Sequence, residues 1–343
     1  MQALFFETHG TVENLIFGER PEPEPGPGEV RVRLKSAALN HLDLFVLGGM
    51  PGIPIGLPHI GGADGAGVVE AVGPAVAGIE IGAEVVFDPG LSCGHCDYCR
   101  AGEQSLCVKF GVLGEHCDGT FAETVVVAAD SLAPRPEHLS WEESAAFGLT
   151  YLTAWRMLMT RGGLRSGETV LIHGIGGGVS LACLQLGKMA GCRVIATSRS
   201  PEKLQKAGEL GADEVLPADD QVARAVRGLT GKRGADVVVD SVGEATWMQS
   251  LKAASKGGRI VTCGATSGPN PKEEIRLIFW NQLSIIGSTM GSRDDWRLLM
   301  AAVTGHQLRP VVDRVLPLAE GRSAYQRLED AEQFGKIVLS IDG

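Results

Sequence analysis

From Val30 to Leu39 the chain reads VRVRLKSAAL, apolar and polar positions alternating with a period of two, which predicts a strand with one face buried. GVVEAVG (Gly67–Gly73) and AEVVF (Ala83–Phe87) are further apolar runs bounded by turn residues, so the first third reads as strand-rich. PEPEPGPGE, from Pro21 to Glu29, reads as a rigid connector, with a docking site for a proline-reading module as the lesser alternative. The texture changes near Trp141. SWEESAAFGLTYLTAWRMLM is helical in composition, and Ser140 followed by Glu143 forms a capping box at its start. From Thr169 the chain alternates TVLIH, RVIAT, EVL, DVVVD, RIVTC and SIIGS with helix-compatible segments. That alternation predicts βαβ units and a doubly wound parallel sheet of about six strands. A helical WRLLMAAVTG, then RVLPL and a closing apolar strand, GKIVLSI, follow Ser288. No internal repeat at a fixed period is visible.

The chain has 343 residues, enough for two domains at about 150 residues each. A hydrophobic content of 44% and 47 glycines suit a globular chain with many tight turns. The net charge of -10 is spread through interspersed acids and bases, which argues against nucleic acid or an anionic membrane as the main partner. MQALFFETHG lacks the basic and apolar regions of a signal peptide, and no apolar run approaches the ~18 residues of a spanning helix. The expected compartment is the cytoplasm, where clustered cysteines more often hold metal than form disulfides.

One such cluster is present. Cys93, Cys96, Cys99 and Cys107 follow C-x2-C-x2-C-x7-C, and four thiolates so spaced close a tetrahedral shell around Zn²⁺ with no position left for substrate. One structural zinc in a lobe spanning 92–108 is the expectation, ahead of disulfides or an iron–sulfur cluster. Cys117, Cys183, Cys192 and Cys263 are scattered and read as core or near-core residues.

A second cluster is of glycines. TVLIHGIGGGVS places Gly174, Gly176, Gly177, Gly178 and Val179 between a strand and a helix, where backbone can approach a pyrophosphate and the helix N-terminus faces its charge. Ser180 stands in the last glycine position of that fingerprint, which is expected to loosen helix–strand packing slightly. The following strand ends TSRSPEK, without the acid that holds a ribose 2′-hydroxyl in NAD sites. Thr197, Ser198, Arg199 and Lys203 instead suit a 2′-phosphate, so NADPH is expected ahead of NADH, against the bland alternative of a solvated loop.

Nearly end to end, the chain resembles the medium-chain dehydrogenase/reductase superfamily, and within it the zinc-type alcohol dehydrogenases. The resemblance rests on the strand-rich start, the cysteine lobe, VLIHGIGGGVS, DVVVDSVG, GGRIVTCGATSG with Gly264 on the cofactor side, and FGKIVLSI. It implies an α/β chain in which a GroES-like, β-rich catalytic domain (1–146 and 289–343) carries an inserted Rossmann domain (147–288), with the active site in the cleft between them. It also implies a homodimer or homotetramer, with the apolar run Leu283–Met290 as a sheet-extending contact. The departures are informative. Of the motif G-H-E-x2-G-x5-G-x2-V the chain keeps Gly62, Gly67, Gly73 and Val76 but has Ala63 for His and Asp64 for Glu. The first catalytic-zinc ligand aligns with Asn40, the third with Ala146, and the proton-relay hydroxyl with Leu42. Methyl and isobutyl groups neither bind zinc nor pass protons. Asn40, Asp43 and Phe45 resemble instead the N-x-x-D-x-Y/F run of zinc-independent quinone oxidoreductases, which usually lack the cysteine lobe.

The combined expectation is hydride transfer from NADPH to a quinone, enone or other activated carbonyl, without catalytic zinc. Asn40 is expected to hydrogen-bond the acceptor oxygen, His41 to supply a proton, Asp43 to orient one of them, and Thr150 with Tyr151 to contact the nicotinamide. Asp64 is the remaining candidate. One alternative is a rewired alcohol dehydrogenase in which His41, Asp43, His59 and Asp64 hold a catalytic zinc. Another is a dinucleotide-binding sensor with no turnover.

Overall fold

A computed structural model describes residues 1–50 and 52–341. The chain divides into two compact units, Met1–Thr150 with Ser292–Gly343, and Tyr151–Gly291. Among the described residues no helix is long and apolar enough to cross a membrane.

The first unit is built on a seven-stranded sheet. Its strand Glu29–Ala38 buries Val30, Val32 and Leu34 completely, while Arg33 on the other face reaches Glu70 at 2.6 Å. This is the period-two pattern carried into space. Asp64–Val72 pairs antiparallel along one side of this strand and Lys336–Ser340 along the other; Val312–Pro317 lies beyond, parallel to the last. A second core packs Leu4, Phe6, Phe121, Tyr325 and Leu339 together, so both ends of the chain share one interior.

The second unit holds six parallel strands in the order Glu214–Pro217, Arg193–Ser198, Thr169–Ile172, Ala235–Val239, Ala254–Thr262, Ser284–Gly287. This is the doubly wound order, with its switch point beside Thr169–Ile172. Leu171, Ile195, Val238 and Ile260 are fully buried in it.

The helical stretch after Ser140 is not continuous. The capping box forms, Ser140 Oγ accepting from Glu143 N and Glu143 Oε2 from Ser140 N, but the first helix is only Trp141–Ala145. A second runs Gly148–Trp155 and continues as a π-helical turn, Arg156–Arg161. The restart has a local cause. Leu149 N donates to Asp64 Oδ1 at 2.6 Å, and a Cβ on Gly148 would lie 2.6 Å from that oxygen. A carboxylate therefore occupies the new helix's first turn, where orphan N–H groups favour negative charge.

Candidate functional site

In the cysteine lobe, the four Sγ atoms of Cys93, Cys96, Cys99 and Cys107 lie within 4.8 Å of one another. Cys96 and Cys99 are 3.5 Å apart, Cys93 and Cys99 4.0 Å. A tetrahedral Zn–S bond of 2.3 Å requires sulfurs about 3.8 Å apart, so the residues fit the ion. Backbone N–H groups of Cys93 and Lys109 point at Cys107 Sγ, at 3.2 and 3.3 Å. Others hold the Cys96 thiol below its ordinary pKa. Tyr98, Leu106 and Val108 in the same lobe are exposed, so it has no apolar core to order it. Of the scattered cysteines, Cys183 and Cys192 are buried and Cys263 half-buried, but Cys117 is exposed, contrary to the core role expected for it.

Three neighbouring strands of the seven-stranded sheet bring a second group together. Ala38 pairs with Asp64 on one side and Val338 on the other, so Asp64, Asn40 and Lys336 meet at one end of the sheet. Lys336 Nζ donates to Asn40 Oδ1 at 2.5 Å and to Asp64 Oδ2 at 2.8 Å, and Asn40 Nδ2 donates to the same carboxylate oxygen at 2.9 Å. All three are at most 5% exposed. A buried ion pair is tolerable only where hydrogen bonds complete it, and Asp64 Oδ1 takes the Leu149 N–H as well. Ala63 and Ala146 are fully buried. Sequence reasoning missed Lys336. The signal was available as a lysine opening the otherwise apolar strand GKIVLSI, an arrangement that demands a partner.

Asp43 lies on the helix His41–Gly48 behind this group. Its Oδ2 accepts from Asn40 N at 2.6 Å and its Oδ1 from Gly62 N at 3.2 Å, so it fixes the backbone of Asn40. Burial pushes its pKa up to about 7. A folded-state value above the unfolded one means the folded protein binds more protons between about pH 4 and 7. Stability therefore falls as pH rises through that window, by at most about 1.4 kcal/mol per pH unit for one group. Asp43→Asn is expected to flatten the dependence of the urea midpoint on pH between about 5.5 and 7.5 relative to wild type. Equal slopes in the two proteins would count against a protonated Asp43.

His41 is exposed at the first turn, edge-on to Phe45 at 5.0 Å, and desolvation lowers its pKa. No hydrogen bond joins it to Asn40, Asp43 or Asp64 among the described residues. Thr150 is 4% exposed, and its hydroxyl has no partner among the described residues, as a group awaiting a ligand or water would be. His59, expected as an alternative metal ligand, turns Nε2 to Gly114 O at 2.9 Å. Asp64 is held by Lys336 and Asp43 by backbone N–H groups, so His41, Asp43, His59 and Asp64 do not converge as a ligand set among the described residues. Among the described residues the cysteines are the one convergent ligand set.

In the second unit, Gly174 and Gly176 adopt φ of +68° and +124°, which only glycine takes freely, and Gly177 caps the helix Gly178–Met189. The first-turn N–H groups of Gly178 and Val179 have no partner within the helix. Ser180 also bonds within this turn. Its hydroxyl donates toward the carbonyls of Gly174 (3.0 Å) and Gly177 (2.8 Å), tying the loop to the helix. Past the second strand, Arg199 is exposed with no ion pair among the described residues, and Lys203 sits in the first turn of Pro201–Glu209. Ser198 is buried, its Oγ accepting from Ser200 N at 3.2 Å. Thr197 is withdrawn from the ribose role: it is fully buried, its Oγ1 3.3 Å from His173 Nδ1. Gly264 is exposed beyond the fifth strand, Ala254–Thr262.

Two family models match the chain, an alcohol dehydrogenase GroES-like domain over residues 26–137 and a zinc-binding dehydrogenase over 178–305. An alcohol dehydrogenase of Geobacillus stearothermophilus is 34% identical over 317 residues, 90% of this chain and 91% of that protein. An acryloyl-coenzyme A reductase of Metallosphaera sedula is 33% identical over 311 residues, 90% of this chain and 91% of that protein. Among solved structures, an NAD-dependent alcohol dehydrogenase superposes with a TM-score of 0.95 at 48% identity, covering 99% of this chain and 100% of the other.

Proposed function

We propose that this chain, which belongs to the zinc-type alcohol dehydrogenase family of medium-chain dehydrogenases/reductases, reduces a quinone, enone or other activated carbonyl with NADPH and without a metal at the acceptor site. An NAD(P)-dependent oxidoreductase acting on a small molecule is its family activity. The observation that carries the finer reading is the closed group of Lys336, Asn40 and Asp64. Asn40 stands at one expected zinc-ligand position, and Ala63 and Ala146 at the other two. An acryloyl group is an alkene conjugated to a carbonyl, so the acryloyl-coenzyme A reductase supports the acceptor class.

When bound, the nicotinamide supplies the hydride. Asn40 offers its second Nδ2 hydrogen to the acceptor oxygen, where negative charge grows. Conjugation spreads that charge, which lessens the need for a Lewis acid. His41 is the proton donor nearest in sequence. Because desolvation lowers its pKa, a His41-dependent step speeds up as pH falls below neutrality.

A panel of quinones, enones, aldehydes and alcohols with NADPH and NADH, run beside metal analysis, tests the reading. About one zinc per chain with enone or quinone turnover is expected; two zincs per chain would overturn the metal-free acceptor site. No cofactor oxidation with any acceptor would favour the binding-only alternative. For the cofactor, Arg199→Ala is expected to raise the NADPH Kd about tenfold or more and leave the NADH Kd within about twofold, since a charge-assisted bond to phosphate contributes about 1.5–3 kcal/mol. Equal effects on both cofactors would remove the 2′-phosphate role. The exposed Ile285 on edge strand Ser284–Gly287 supports a dimer joined along that strand.

A further inference from the structure

We infer that Lys336 is a positioning residue for the reaction, fixing by its charge which end of the Asn40 amide faces the acceptor. The inference rests on the proposed role of Asn40 as donor. The two ends of an asparagine amide are nearly isosteric, so only hydrogen-bond partners decide their order. Here both partners are unambiguous. The Lys336 ammonium has hydrogens and no lone pair, and it meets Asn40 Oδ1. The Asp64 carboxylate has lone pairs and no hydrogen, and it meets Asn40 Nδ2. Rotating the amide by half a turn would set N–H against ammonium and carbonyl oxygen against carboxylate, with all three side chains buried. The cation also holds Asp64, so one ammonium fixes both neighbours of the amide.

The consequence is directional. One Nδ2 hydrogen is given to Asp64, and the second has no partner among the described residues. That hydrogen is the one left for a substrate oxygen. With Lys336 removed, the amide loses the ammonium on its Oδ1 side and Asp64 loses the counterion that holds it in place. Charge then no longer fixes the order from both sides, and the flipped amide, with its carbonyl toward the acceptor, becomes accessible.

The test is a double-mutant cycle between Asn40→Ala and Lys336→Met, read as kcat with the acceptor the panel identifies. Asn40→Ala is expected to lower kcat about 100-fold or more, the usual cost of one lost oxyanion donor. Lys336→Met should lower kcat by a similar factor with the NADPH Kd within about threefold, and Lys336→Arg should recover most of it. The double variant should be no slower than Asn40→Ala, because Lys336 acts through Asn40. Multiplicative losses, or an unchanged kcat in Lys336→Met, would overturn the inference. Lys336→Leu, which likewise removes the donor, replaces Lys336→Met if the latter does not fold.

A readout without turnover separates this inference from the choice of reaction. In ¹⁵N spectra the Asn40 side-chain pair, identified by its loss in Asn40→Ala, should show one exchange-protected hydrogen and one fast one. Lys336→Met, which removes the donor, should abolish that asymmetry. Retention of it would overturn the inference even if the wild type reduces every acceptor, and its loss would support the inference even if the wild type reduces none.

Discussion

Stripping zinc from the four-cysteine lobe with a strong chelator, or by Cys99→Ser, is expected to unfold residues 92–108 while leaving the rest of the first unit folded. The lobe buries few apolar side chains, with Tyr98, Leu106 and Val108 exposed, so a bound zinc would supply most of its order. Apparent binding energies of structural zinc in small peptides run to about 10–16 kcal/mol, more than any other single contact here contributes. The cores of the unit lie elsewhere, around Val30, Val32, Leu34 and Phe87 and around Phe6, Phe121 and Tyr325. The expected readouts are new protease cleavage confined to 92–108 and, per zinc released by chelator, four more thiols open to a thiol reagent (three in Cys99→Ser). Arg293 N reaches Gln104 Oε1 at 3.2 Å, so loosening of this contact at the start of the following helix, Arg293–Gly305, is a further sign. A metal-free protein with unchanged protease resistance would show that the lobe is held by something other than zinc.

The second large effect concerns stability at the buried ion pair. Asp64→Leu and Lys336→Met are each expected to lower the free energy of unfolding by about 3–5 kcal/mol, because each leaves the other charge buried without its counterion. The double variant should lose much less than the sum, since two apolar groups need neither charge nor solvent. Urea unfolding of the four proteins measures this directly. Additive losses would mean that Asp64 is stabilised chiefly by Leu149 N and the amide of Asn40, and that the ammonium adds little.

The parts of this molecule that were legible in its sequence are those fixed locally. The cysteine spacing, the glycine turn between strand and helix, and the Ser140–Glu143 box each involve residues close along the chain. Local geometry followed from them. Asn40 and Asp64 were also visible, as departures from the motifs of the zinc dehydrogenases. Lys336 was not, because it joins them only through strand pairing across 272 residues, and periodicity carries no information at that range. The break between the helices Trp141–Ala145 and Gly148–Trp155 was hidden for the same reason: a distant carboxylate sets it. Ser180 shows a different limit. Its departure from glycine was plain, but its effect depended on where a hydroxyl finds acceptors, and it found two in the loop itself. His59, read as an alternative metal ligand, faces the carbonyl of Gly114, a contact its residue type does not announce.

The final strand, Lys336–Ser340, has a consequence for how the protein is made. At ribosomal rates of about 5–20 residues per second, the ammonium emerges roughly 15–55 s after Asp64. During that interval the parallel-sheet unit, contiguous from Tyr151 to Gly291, can fold on its own. The first unit cannot close its sheet, because Lys336–Ser340 joins Glu29–Ala38 to Val312–Pro317. A nascent chain halted short of Lys336 therefore holds an acidic group with no cation, beside an open strand edge exposed to other chains. For this fold, the half that begins first is completed last, and the strand that completes it carries the cation that pairs with Asp64.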